Sequence, residues 1–188
     1  MAKQYDLTFT DHDFRAEPLE TGTYETCTFI RCQLEKADLS ESAFIDCQFE
    51  DCDLSLVDVR DTALREVHFQ GCKMVGLAFH NCHEFLFQVG FTDCNLHLSS
   101  FVERMLKHTR FKGCDLREVD FSQANLTKAI FDGCDLKDAI FERTNLVEAD
   151  FRTARRFSID PEMNPVKKAR FSQDGLAGLL HKYQLRIS

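Results

Sequence analysis

The chain has 188 residues, 44% of them apolar, which suits one folded domain with a continuous core and excludes a disordered polypeptide. Its formal net charge of −8 repels nucleic-acid phosphates, so direct nucleic-acid binding is excluded while a basic partner stays open. There is no apolar run approaching the roughly 18 residues of a membrane span and no signal-peptide pattern, so a cytoplasmic protein with no membrane association is expected.

Residues 1–24 carry a weak rhythm. Phe9, Phe14, Leu19 and Tyr24 fall five apart, but His12, Glu17 and Gly22 stand two places earlier, where later units have small side chains. A degenerate first coil or cap is expected here, shielding the open end of whatever follows.

From residue 25 the rhythm is strict. Phe29, Leu34, Leu39, Phe44, Phe49, Leu54, Val59, Leu64, Phe69, Met74 and Phe79 recur every fifth residue, and most have Cys, Ala, Ser, Thr or Val two places before. After a two-residue shift the series resumes at Leu86 and alternates Leu and Phe as far as Phe151. A period of five is neither the 3.6 of a helix nor the 2 of a strand, and a short repeat carried this far implies a solenoid whose turns must stack.

A larger unit, Phe-x-x-Cys-x-Leu, begins at Phe29, Phe49, Phe91, Phe111 and Phe131, with Met74 for Leu in the copy at Phe69. The copies lie 20, 20, 22, 20 and 20 residues apart, so five residues make a side and four sides make a coil. Phe29 through Phe151 are then expected in one file and Leu34, Leu54, Met74, Leu96, Leu116 and Leu136 in the next, over six to seven coils and about 30 Å. All of the nine cysteines except Cys82 take the small position, and they read as buried free thiols rather than disulfides.

Ala37-Asp38-Leu39-Ser40-Glu41, Val119-Asp120-Phe121-Ser122-Gln123 and Ala124-Asn125-Leu126-Thr127-Lys128 resemble the consensus of the pentapeptide-repeat family. The resemblance spans residues 24–153 and implies an all-β fold, a right-handed quadrilateral β-helix over residues 25–153, followed by a short C-terminal helix.

Two places break the pattern. The phase shift predicts a bulge within residues 81–90, with Leu86 inward and either Phe85 or Phe87 outward; His83, Phe85 and Phe87 are candidate partner-binding residues there. Arg104 takes a small position, so either the chain swings outward over Val102–Lys107 or the arginine pairs with an acid such as Glu103.

After Phe151 the repeat stops. Residues 154–188 read as a lid, a helix and a possible strand; the lid is the stretch from Thr153 to Ser172, with Pro161, Pro165, Arg155, Arg156, Lys167, Lys168 and Arg170. Ser172 is placed to cap a helix in which Leu176, Leu179, Leu180 and Tyr183 share one face, and Gln184–Ser188 is a candidate strand. That apolar face either packs on its own coil or, the preferred expectation, joins two copies in a homodimer.

No phosphate-binding loop, nucleophile elbow or zinc motif is present, so neither a catalytic residue nor a cofactor is expected. The cluster His80-Asn81-Cys82-His83 lacks a second ligand pair and predicts no metal site. The surface is more telling. Asp38, Glu41, Asp58, Asp61, Glu103, Asp120 and Glu142 fall on one wall against Arg60 and Arg143, an acidic stripe suited to a basic groove.

The ending Phe157-Ser158-Ile159-Asp160-Pro161-Glu162-Met163-Asn164-Pro165, followed by a short helix, resembles McbG/Qnr-type members of the family. Those engage bacterial type II topoisomerases, DNA gyrase and topoisomerase IV, and protect them from poisons. The resemblance implies a non-enzymatic, dimeric DNA mimic with such a partner; the rival expectation is a scaffold with an unrelated partner.

Overall fold

The computed structural model describes residues 2–186. A side of five residues leaves room only for short strands. In chain order these are β1 (Ala2–Tyr5), β2 (Thr8–Thr10), β3 (Gly22–Glu25), β4 (Thr28–Ile30), β5 (Ala43–Ile45), β6 (Gln48–Glu50), β7 (Ala63–Arg65), β8 (Val67–Gln70), β9 (Val89–Thr92), β10 (Arg110–Lys112) and β11 (Ile130–Asp132).

Every pairing is parallel. One wall is the sheet β1-β3-β5-β7, and another is the seven-stranded sheet β2-β4-β6-β8-β9-β10-β11 in coil order. The other two walls are held by single bridges such as Gln33↔Asp53, Asp53↔Lys73, Asp38↔Asp58 and Ser100↔Asp120. The register is 20 residues, except across the phase shift, where Phe69 faces Phe91.

The corners explain the repeat length. One residue per side lies in the left-handed region, as at Arg31 (φ 51°), Lys36 (φ 58°), Glu41 (φ 58°) and Asp46 (φ 50°). Each such non-glycine residue costs about 1–2 kcal/mol. The cost is offset because its N–H then bonds the next coil: Arg31 to Glu50 O at 2.8 Å, Lys36 to Ser55 O at 2.9 Å, and Glu41 to Arg60 O at 2.9 Å.

In most coils the residue that follows the left-handed one is small and turns inward, and its type has a reason. Cys52, Cys72 and Cys94 Sγ donate to the carbonyls of Phe29, Phe49 and Phe69 one coil back at 3.3–3.4 Å. Thr62 and Thr144 hydroxyls do the same to Leu39 O and Phe121 O at 2.8 Å. A thiol or hydroxyl here satisfies a carbonyl without filling the corner. All nine cysteines are free and buried.

The interior is built from two files of rings. Phe29, Phe49, Phe69, Phe91, Phe111, Phe131 and Phe151 stack face to face with centroids 4.5–5.4 Å apart, as the sequence predicts. Phe79, Phe101, Phe121 and Phe141 form a second stack at 4.4–5.4 Å, meeting the first edge to face.

The first file is longer than its sequence repeat. Phe9 stacks on Phe29 at 4.9 Å and Phe171 on Phe151 at 5.3 Å. The segment read from sequence as a lid is therefore a further coil, with Leu146 N bonded to Pro165 O and Phe151 N to Arg170 O.

The C-terminal helix takes a different form. The chain makes two 3-10 turns, Asp174–Leu179 and His181–Tyr183, instead of an α-helix. Gly175 N still bonds Ser172 Oγ at 3.1 Å. Gly178 lies so close to Phe157 that an added Cβ would collide with its carbonyl oxygen. Contact with the rod tightens the turn more than an amphipathic helix allows. Gln184 ends the segment with φ 50°, and no strand forms over residues 184–186; residues 187 and 188, also in the candidate strand, lie outside the described residues.

Phe111 is fully buried between stacked neighbours, so Phe111→Ala is expected to destabilise the rod by about 3–5 kcal/mol in urea unfolding. Phe9→Ala, at a half-buried end of the file, should cost clearly less in the same measurement.

Candidate partner-binding surfaces

Three surfaces carry the candidate residues. On the wall whose inward side chains include Leu39, Val59 and Phe101, the parallel register sets outward residues in rows. One row runs Asp38, Asp58, Ala78, Ser100, Asp120, Ile140. At the adjoining corner Glu41, Asp61 and Glu103 take left-handed positions, with φ of 58°, 55° and 61°.

The two rows differ chemically. Asp38, Asp58 and Asp120 accept hydrogen bonds from the backbone N–H two residues on, at 2.9, 3.1 and 2.8 Å, so they serve their own turns first. Asp58 is also gripped by Arg60, which holds its carboxyl below the usual carboxylate range. Glu41, Asp61 and Glu103 are exposed and form no ion pair among the described residues. The stripe is interrupted at mid-rod by Ala78, His80 and Asn81, where a 3-10 turn spans Phe79–Asn81. Glu142 is exposed at the far end, beside Arg143.

The wall that carries Leu34 and Leu116 is neutralised by comparison. Asp53 pairs with Lys73 at 3.0 Å, Asp115 with Arg117, and Asp135 with Arg156. The hydrogen bonds from Arg117 and Arg156 hold the Asp115 and Asp135 carboxyls below their ordinary range.

The bulge has a firm stem. His83 N bonds Thr62 O and Gln88 N bonds Leu64 O, both at 2.9 Å, and Phe87 N closes a turn onto Glu84 O at 3.3 Å. Phe85 is 59% exposed, with the Arg65 guanidinium 5.5 Å from its ring centre, and His83 is also exposed.

Two sequence expectations fail here. Leu86 points outward at 60% exposure, whereas Phe87 is only 8% exposed and meets Phe79 edge-on at 6.3 Å. With two extra residues the left-handed turn falls on Leu86 (φ 58°), which throws its side chain out and brings the next ring in. Phe87 is thus a core residue, withdrawn from any partner.

Arg104 follows neither course expected of it. The chain does not swing outward, since Met105 keeps its bridge to Asn125, and Arg104 forms no ion pair among the described residues. Its Nη1 donates to Cys82 O at 3.0 Å, across the base of the bulge. Burial pushes the neighbouring Cys82 thiol up to about 12.

At the C-terminal end the apolar face divides. Leu179 packs on the core, while Leu176, Leu180 and Tyr183 are exposed. Lys182 holds the segment down by pairing with Asp160 at 2.8 Å and Glu162 at 2.6 Å, and Tyr183 donates to Glu162 at 3.1 Å.

The sequence reading marked Arg104 as an anomaly but did not connect it with the other cations around the bulge. Arg65 on the coil before, and Arg104, Lys107 and Arg110 after, gather there; their signal was the basic run from residue 104 to 112. Among the described residues no group of His, Cys, Asp or Glu side chains could hold a metal ion, and no helix is long and apolar enough to cross a membrane.

The family model described as a pentapeptide repeat region matches residues 23–84 and 78–151, well over half of the chain. The chain belongs to the pentapeptide-repeat family. No curated protein matches it significantly.

Among solved structures it is similar to a trypsin-treated variant of QnrB1, a plasmid-mediated fluoroquinolone resistance protein, at 19% identity, 100% coverage of both chains and a TM-score of 0.51. A second such QnrB1 variant is 20% identical, with 98% of this chain and 99% of that one covered and a TM-score of 0.50. HetL, from the cyanobacterium Nostoc sp. strain PCC 7120, is 16% identical over 92% of this chain and 87% of its own, with a TM-score of 0.47. The QnrB1 likenesses show the shared fold, a right-handed quadrilateral β-helix, and the hand is the one that parallel crossovers take in nearly all proteins.

Because Asp115 and Asp135 titrate lower in the folded rod than the roughly 3.9 of an unfolded aspartate, their ion pairs stabilise it above that pH and are lost as pH falls through the folded values. Thermal melts are expected to hold steady from pH 7 to about 5 and to drop below about pH 4. Arg117→Leu should blunt that drop.

Proposed function

We propose that this protein is a non-enzymatic binding protein that presents its acidic wall, in place of DNA, to a bacterial type II topoisomerase and shields that enzyme from a toxin or antibiotic. The observation that carries the reading is the corner row of Glu41, Asp61 and Glu103, exposed and free of ion pairs, on a chain of net charge −8.

The charge density is of the right order. One strand of B-DNA carries a phosphate about every 3.4 Å. One carboxylate per coil in a single row gives a charge about every 4.8 Å, and two filled rows about every 2.4 Å. The first two coils of the strict repeat, with Asp38, Glu41, Asp58 and Asp61, fill both rows, although Arg60 discounts Asp58. QnrB1, which shares the fold, is a fluoroquinolone resistance protein, and a protective role of that kind supports the reading.

DNA gyrase and topoisomerase IV are the proposed partners. The exposed Leu176, Leu180 and Tyr183 are proposed to join two copies end to end, and His83 and Phe85 on the bulge to add contacts to the enzyme.

The gap at Ala78, His80 and Asn81 favours a second reading, a scaffold for an unrelated partner, because it breaks the imitation of a duplex at mid-rod. Gyrase supercoiling assays separate the two. The folded protein should inhibit supercoiling at high concentration, less so as salt rises, and should rescue the enzyme from a poison at lower concentration. Reversing Glu41, Asp61 and Glu103 to Lys should weaken both effects at least about tenfold. A folded wild-type protein that does neither rejects the topoisomerase reading and leaves the scaffold.

A further inference from the structure

The corner beside the bulge holds a cleft of about 560 Å³ whose chemistry is opposite to the acidic wall. Its existence follows from the phase shift. Residues 83–86 are pushed outward, and Gly90, directly after His68 in the strand register, carries no side chain; a Cβ there would meet His68 Nδ1 at 2.8 Å. Leu86 and Met105, 60% and 52% exposed, form an apolar rim.

Lys107, His108, Arg110 and His68 supply cationic and hydrogen-bonding groups, against the single carboxylate of Glu66. Neither Lys107 nor Arg110 belongs to an ion pair among the described residues, although the chain as a whole is strongly acidic. The Nε atoms of Arg65 and Arg104, on the coils before and after the bulge, are buried without a hydrogen-bond partner.

We propose that this cleft is a binding site for an extended acidic peptide segment with interspersed apolar side chains, contributed by a partner protein. Charge complementarity selects the acid: carboxylates meet Lys107 and Arg110, while apolar side chains lie on Leu86 and Met105. Length selects a peptide. The lining runs over three coils, roughly 10 Å, the span of about three extended residues. A long polyanion such as nucleic acid is disfavoured, because beyond the cleft it meets a surface with an excess of carboxylates. The cleft lies at the corner where β8, β9 and β10 of the seven-stranded sheet begin, one corner on from the row of Glu41, Asp61 and Glu103; that row and not the cleft carries the topoisomerase reading, so the two are tested separately.

The test is fluorescence anisotropy on the full chain with a labelled peptide alternating Glu and Leu, a matched peptide alternating Lys and Leu, and inorganic phosphate as competitor. The acidic peptide should bind saturably, and Lys107→Glu or Arg110→Glu should weaken it about tenfold. Glu41→Gln should leave it unchanged. Glu66→Gln should tighten it about twofold to fivefold, a gain that a misfolded variant cannot give.

Equal binding of both peptides, no saturable binding, or indifference to Arg110→Glu overturns the proposal. Displacement by phosphate as effective as by unlabelled peptide reduces the cleft to a small-anion site and overturns it too. Loss of peptide binding on self-association, seen by sedimentation, would assign the cleft to a second copy instead.

Discussion

Two repeats with almost the same spacing coincide in this rod. Aromatic rings stack with centroids 4.4–5.4 Å apart along the two files, and parallel strands hydrogen-bond about 4.8 Å apart. A ring in each coil can therefore lie flat on the ring before it while the backbone ladder stays unstrained. The left-handed corner residue makes that coincidence possible. It turns the chain after five residues and hands its N–H to the next coil, as Lys36 does to Ser55 O at 2.9 Å. Ring, ladder and corner support one another, which is why non-glycine residues are tolerated in a conformation that ordinarily costs them about 1–2 kcal/mol.

Because the core follows one plan on every coil, with only the choice among Phe, Leu, Val, Met and Tyr changing, individuality lies mainly in outward residues and in departures from the repeat. The acidic wall and its paired neighbour share a backbone plan, yet Glu41 and Asp61 are free where Asp115 and Asp135 are bound to arginines. The bulge and its cleft come from a single departure of two residues. At the C-terminal end Lys182 fastens one turn to Asp160 and Glu162, leaving Leu176, Leu180 and Tyr183 in solvent.

The walls, the ring files and the cysteine positions were legible because each follows from a fixed period. Phe9 and Phe171, twenty residues outside the ends of the strict series, were equally in phase, but only Phe9 was heard as an echo; the prolines near residue 161 masked the other. Periodicity was silent where it broke. It located the two extra residues but not which would turn in, because that rests on the left-handed turn falling at Leu86 instead of Phe87. The helical spacing of Leu176, Leu179, Leu180 and Tyr183 misled for another reason: close approach of Gly178 to Phe157 overrides local preference. Arg104 was recognised as an anomaly, yet its partner, the Cys82 carbonyl, carries no sequence signal.

The stem of the bulge uncouples the length of the loop from the coils that carry it. His83 and Gln88 are moored to Thr62 and Leu64, and Val89 re-enters in register with Val67, so the chain between them can change length at no expense to the coils on either side. Such a port separates the framework from whatever its surface displays. A finger of another length, long or short, fits on the same stem while every phenylalanine underneath stays where it was.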